Sequence, residues 1–169
     1  MRVKHIQLLL VLSLIIPFVL IQCADRHPKT PELESPPSLS TAIEQAPTVA
    51  YCDLVRNAPR FNNAIVRTEA IFNKNLENSV FSDLRCKDSI IWVEFDPAYV
   101  YADEGLKNRF AELACLKQPR CNGKAQVAAV GRFEGPRESG YGQLGCCPFR
   151  FSIMRIEKAE PLRSVASQP

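Results

Sequence analysis

Apolar and polar residues alternate with a period of two in several runs from Ala64 onward, which is the mark of strands with one face buried. In Ala64 to Phe72, Val66, Thr68, Ala70 and Phe72 fall on one face, and Arg67 and Glu69 on the other. This predicts a half-buried first strand. A weaker run at Ser79 to Asp83 predicts a second, and Ile90 to Phe95, rich in β-branched and aromatic residues, a third that Asp96-Pro97 should stop. Gln126 to Glu134, with Val127, Ala129, Gly131 and Phe133 alternating, and Phe149 to Glu157 supply a fourth and a fifth. Phe72, Phe95, Phe133, Phe149 and Phe151 read as inward and Trp92 as outward, on a wall that an N-terminal helix is expected to cover.

The period changes to that of a helix between the third and fourth strands. Leu106, Phe110, Leu113 and Ala114 share one face, Asp103 stands at the N-cap, and Pro119 and Gly123 are expected to end the run. A shorter helix is expected ahead of the strands through Leu54 and Val55, capped by Thr48 or Asp53 and halted by Pro59. Five strands with a helix between the third and fourth is the order of the OB-fold, a mainly β, five-stranded Greek-key barrel. Ligands of that fold lie across strands two and three, flanked by the loops after strands one and four.

The loop after strand four is compositionally unusual, because Gly131 to Cys147 holds five of the seven glycines in the chain. Glycine tolerates positive φ and close backbone approach, so the stretch predicts a long shaped loop rather than a tight hairpin. Arg132, Arg137, Tyr141 and Gln143, with Trp92 nearby on the wall, are the candidate ligand-binding residues. Phe81, Tyr99, Tyr101 and Arg85 complete the set that a stacking, charge-assisted face would draw on.

The first 48 residues do not belong to the fold in this reading. Residues 1–22 open with Arg2, Lys4 and His5 and continue through an apolar run that is short for a span and contains Pro17, which predicts a secretory signal. Leu20-Ile21-Gln22-Cys23 resembles a lipobox, making Cys23 the expected lipid anchor, although Gln22 stands where a small residue is usual. Secretion after cleavage at Ala24 is the alternative. Residues 23–48, with five prolines and no apolar period, are expected to form a tether, 49–158 the OB-like domain and 159–169 a flexible tail.

With Cys23 set aside, six cysteines remain in an exported chain: Cys52, Cys86, Cys115, Cys121, Cys146 and Cys147. All are disulfide candidates, with Cys115 and Cys121 the pair best placed by local geometry. Cys146 and Cys147 are expected to point to opposite faces and pair elsewhere. Removing Arg2 and Lys4 leaves 19 basic against 18 acidic residues, so the basic surplus of a nucleic-acid binder is missing. The only histidines are His5 and His27, outside the domain, which leaves it without an imidazole base or a Cys/His metal site. Glu94, Asp96, Glu134 and Glu138 could converge as a carboxylate pair, but alternation turns Glu94 and Glu134 toward solvent.

The segments YCDLVRNAPRFNNAIVRTEAIF, IWVEFDP and GRFEGPRESGYGQLGCC together resemble a set of bacterial exported proteins with an OB-like domain and no assigned reaction. The resemblance covers roughly residues 50–157 and departs at Asn63, where Gly is usual, and at Gln143, where His is usual. It implies fold and export rather than an activity. The combined expectation is a lipoprotein of the bacterial cell envelope, periplasmic or on the outer face, carrying a non-enzymatic binding domain without metal or cofactor. Its expected partner is an envelope protein or a small ligand, met as a monomer. Two alternatives are an OB-type nucleic-acid binder and a thiol-disulfide active protein using Cys146-Cys147.

Overall fold

Alternation along the strands is realised as a sheet that closes on itself. The structure, a computed structural model, describes residues 38–87, 89–118 and 120–162. The signal segment, Cys23, most of the tether, Pro119 and the end of the tail lie outside the described residues. The strands are β1 (Ile65–Lys74), β2 (Ser79–Ser82), β3 (Ile91–Tyr101), β4 (Gly123–Glu134) and β5 (Phe149–Glu160). They run in the order β1-β2-β3-β5-β4, with β4 pairing back to β1 to complete a ring. All neighbours are antiparallel except β3 and β5.

Inward residues fill the ring. Val66, Thr68, Ala70 and Phe72 of β1 are buried, as are Val127, Ala129, Gly131 and Phe133 of β4, matching the expected faces. Phe72 meets Phe81 edge-on at 6.1 Å and Phe110 at 5.2 Å. Phe81, Tyr99 and Tyr101 therefore do not form an outer stacking face. Phe81 is fully buried, and Tyr99 and Tyr101 pack on each other and toward Phe95 and Phe110.

Helices α1 (Leu39–Glu44), α2 (Tyr51–Arg56), α3 (Ala58–Phe61) and α4 (Glu104–Leu113) surround the sheet. Asp103 caps α4 as expected, its carboxylate accepting from the Leu106 N–H at 2.7 Å. The helix stops at Leu113, short of Gly123, because Cys115 takes φ 53 and turns the chain away. Gly123 opens β4 instead. Helix α2 starts at Ala50 without a side-chain cap, so neither Thr48 nor Asp53 performs that role. It buries Tyr51, Leu54 and Val55, and the Tyr51 hydroxyl donates to the carbonyls of Phe81 (3.0 Å) and Ser89 (2.8 Å). A disulfide between Cys52 and Cys86 ties α2 to the loop after β2, and a second joins Cys115 to Cys121 beyond α4.

Strand β5 runs on through Ala159 and Glu160, which were expected in the flexible tail, because Ala159 is buried and pairs with Val127. Two further boundaries depart from expectation. Strand β3 continues past Asp96-Pro97 to Tyr101, its register against β5 shifting between Phe95 and Val100, so that Pro97 falls in an irregularity where no ladder N–H is required. Phe95 is turned partly to solvent there. The other departure concerns residues 38–48, which form a strap and not the last part of a tether. Helix α1, capped by Ser38, buries Ile43, and with Ala46 just beyond it packs against Val130 and Met154 on the outside of the ring. Past it, Arg67 of β1 accepts from Val49 and donates to the Pro47 carbonyl, each at 2.8 Å, along an edge that β2 does not reach. Among the described residues no helix is long and apolar enough to cross a membrane.

Candidate functional site

The glycine-rich loop, residues 135–148, folds back onto the outer wall of the ring. Its base is fixed by backbone bonds. The Arg137 N–H donates to Pro148 at 3.0 Å, and Tyr141 and Cys147 exchange hydrogen bonds of 2.6 and 3.3 Å. Between them Gln143–Gly145 makes a single 3₁₀ turn. Gly142, at φ 75, lies against the Trp92 ring so closely that a Cβ there would overlap it. Only glycine satisfies both the backbone angle and the contact.

Trp92 is thus on the outer wall, as its phase requires, but it is covered by this loop and not by an N-terminal helix. Its indole N–H donates to Glu94 at 3.0 Å. Directly beside it in the sheet, Arg150 bonds both Glu134 and Glu94, the latter at 3.3 Å. Both carboxylates stand on the outer face, as alternation requires, with Glu94 exposed, and they converge there on the arginine between them. They are an ion-paired clamp around one arginine and not a free acid–base pair. The same guanidinium lies 5.1 Å from the centroid of Tyr141, and that of Arg137 lies 5.5 Å away, so the phenol ring holds two cations.

Above this stack the loop turns outward. Leu144 takes φ 56 and is completely exposed, at 106% of its reference area. Gln143 beside it is exposed as well. Cys146 is exposed and Cys147 buried; neither is in a disulfide, and their sulfurs lie 2.7 Å apart. The expectation that they point apart and pair elsewhere is therefore overturned, because the other four cysteines satisfy one another and the Tyr141–Cys147 backbone pair turns both sulfurs to one place. Burial, with a hydrogen bond that keeps the proton on Cys147 beside Cys146, pushes the Cys147 thiol up to about 12.

Of the residues expected to bind, Arg137, Tyr141 and Gln143 come together on the loop, and Trp92 lies beneath it. Arg132 does not join them. Its guanidinium donates to the Asn63 carbonyl at 3.0 Å, pinning the turn before β1. Arg85 is likewise engaged, by Asp83 at 2.7 Å. The sequence reading missed Arg150 and Leu144. Arg150 could have been found from its outward phase on the fifth strand, but its partners depend on the registers Trp92–Arg150 and Glu134–Arg150, which no local pattern specifies. Leu144, a large apolar residue among glycines, was an available signal.

Concavity lies elsewhere. Two clefts of about 390 Å³, one beside Asp83, Leu84 and Leu162 and one beside Arg109 and Lys158, are lined by no residue of the loop. Among the described residues no three or more His, Cys, Asp or Glu side chains are grouped to hold a metal ion. Compared with family models, curated proteins and solved structures, the chain matches none of them.

Proposed function

We propose that the protein is an exported, lipid-anchored component of the bacterial cell envelope whose OB-type domain acts as a non-enzymatic contact module, binding a partner protein through the glycine-rich loop. The ring order β1-β2-β3-β5-β4 and the position of α4 between β3 and β4 support the OB-type reading. Two disulfides agree with an oxidising compartment outside the cytoplasm, and Cys23 is the anchor this reading requires. The observation that carries the function is Leu144: a leucine held in a left-handed conformation, with its whole side chain in water, costs free energy in the isolated protein without any packing return. A partner that buries the side chain supplies that return. Leu144 stands wholly in solvent and the two 390 Å³ clefts are lined by no residue of the loop, which favours a protein surface over a small ligand.

A nucleic-acid role is the weaker reading. Arg150 is held by two carboxylates, Arg132 by a carbonyl and Arg85 by Asp83, so of the arginines expected on the binding face only Arg137 is left to meet a phosphate. Photo-crosslinking from position 144 in native membranes, with position 76 as an exposed control on another loop, tests the proposal. A discrete adduct from 144 that is missing from 76, and lost on Tyr141→Ala, is expected. Equal adducts from both positions, or none from 144, would overturn it, as would salt-dependent oligonucleotide binding that Arg137→Ala abolishes.

A further inference from the structure

We propose that Cys146 and Cys147 are a vicinal dithiol–disulfide couple that closes and opens by exchange with an external disulfide or dithiol. The assignment goes beyond the contact reading and stands without it. At 2.7 Å the two sulfurs are inside nonbonded contact and approach the S–S bond length of about 2.05 Å. They are the only unpaired cysteines among the described residues, since Cys52 is bonded to Cys86 and Cys115 to Cys121. The loop holds them in place from both sides. Cys147 is fixed by its backbone pair with Tyr141, and Cys146 ends the 3₁₀ turn, its N–H donating to Gln143 at 3.3 Å. The Cys146 thiol also points at the Tyr141 carbonyl, 3.6 Å away.

Exposure divides the labour between the two. Cys146 faces solvent, so its thiolate attacks one sulfur of an external disulfide, forming a mixed disulfide and releasing the other sulfur as a thiolate. Cys147, buried and protonated at neutral pH, gives its proton to that leaving thiolate and attacks the Cys146 sulfur, so that the Cys146–Cys147 bond forms and the second external sulfur departs. In total, two thiols of the protein are oxidised and one external disulfide is reduced to two thiols. Run in reverse, an external dithiol attacks the exposed Cys146 sulfur and restores both thiols. A residue as buried as Cys147 has no use as a first nucleophile, but it suits resolution. The four structural cysteines join residues distant in sequence or across a turn and have no neighbouring thiol to displace them.

The full chain equilibrated across a series of glutathione redox buffers, quenched with an alkylating reagent and digested with trypsin, provides the test. The fragment Glu138–Arg150 contains both cysteines and none of the other four. Its expected behaviour is a switch from doubly alkylated to an unalkylated internal disulfide as the buffer becomes oxidising, over ratios at which the other two disulfides stay closed. A fragment that remains doubly alkylated in the most oxidising buffer, is linked to a different peptide, or opens only together with the other two disulfides would overturn the couple. The roles are read from two variants. Cys147→Ser should trap a persistent glutathione adduct on Cys146, whereas Cys146→Ser should leave Cys147 unmodified. An absence of the adduct in the first, or an equal adduct in the second, would refute the assignment of attacking and resolving sulfurs.

Discussion

The outside of the ring is covered at two places, and the two covers are built from opposite materials. Over β4 and β5 the strap of residues 38–48 seats Ile43 and Ala46 on Val130 and Met154, then locks itself down with charge. Arg67 holds Glu157 by two nitrogens at 2.7 and 3.2 Å and the Ala46 carbonyl by the third at 2.7 Å, while Arg155 joins Glu157 to Glu44. Over β3 and the start of β5, the glycine-rich loop contributes almost no apolar side chain to the wall. It lies flat on Trp92 through the backbone of Gly142, and it turns its leucine and one of its thiols outward. Burial of apolar area is what stabilises a cover, so the strap is structural. A cover that leaves its apolar side chain in water fits the display proposed for it.

Removal of matter beneath each cover should separate them most clearly. Met154→Ala deletes a side chain packed between ring and strap, and a loss of about 2–3 kcal/mol is expected, at the low end for a buried methionine because a six-residue helix can settle into the gap. A loss below about 1 kcal/mol in denaturant titration would mean that the strap is not part of the folded unit. On the other side, Gly142→Val adds matter where none fits. The loop is expected to lift from the wall, at a cost of about 1–2 kcal/mol from backbone strain. Trp92 is the only tryptophan in the chain, so a red shift of its fluorescence reports the lifting directly. An unshifted spectrum would contradict the contact.

Charge gives the strap a pH dependence in the acid range. Hydrogen bonds from Arg67 first, and from Arg155, hold the Glu157 carboxyl below its ordinary 4.5, against burial, which acts the other way. A carboxyl lowered on folding stabilises fully above its unfolded value, and that contribution is lost as pH falls through the folded one. Thermal midpoints should therefore drop more steeply between about pH 5 and pH 3 in the wild type than in Glu157→Gln, by an amount equivalent to about 1 kcal/mol for a partly exposed network. Parallel curves would show that the network contributes nothing.

What could be read from the sequence follows the same division. Inward faces of β1 and β4 were legible because one buried face imposes a period of two, and the α4 cap at Asp103 because a helix start has a local signature. The strap was not, since it follows directly on the stretch that holds Pro28, Pro31, Pro36 and Pro37, and Leu39, Ile43 and Ala46 make only a brief stripe. One signal of it did exist: Val127-Ala128-Ala129-Val130 breaks alternation and is buried on both faces, as a strand covered on each side must be. For the site, the loop and Arg137, Tyr141 and Gln143 were visible by composition. Arg150 between Glu94 and Glu134 was not, because that clamp is assembled by register across three strands. The cysteine pairs show the same limit, with the near pair Cys115–Cys121 accessible to geometry and Cys52–Cys86, 34 residues apart, accessible only to the fold.

The smallest effect is the one that separates display from structure. Leu144→Gly relieves a leucine of its left-handed backbone, a gain of about 1–2 kcal/mol, and gives the unfolded chain extra freedom, a loss of about 0.4–1 kcal/mol. The two largely offset, and no packing is lost because the side chain touches only water. Stability should therefore stay within about 1 kcal/mol of wild type, on the favourable side if it moves, while the adduct formed by a photoreactive group at position 143 disappears. A leucine that held the loop together would give the reverse, a clear loss of stability with the adduct reduced only in proportion to unfolding. Neutral stability with loss of the adduct places the free energy of Leu144 in the complex and none of it in the fold.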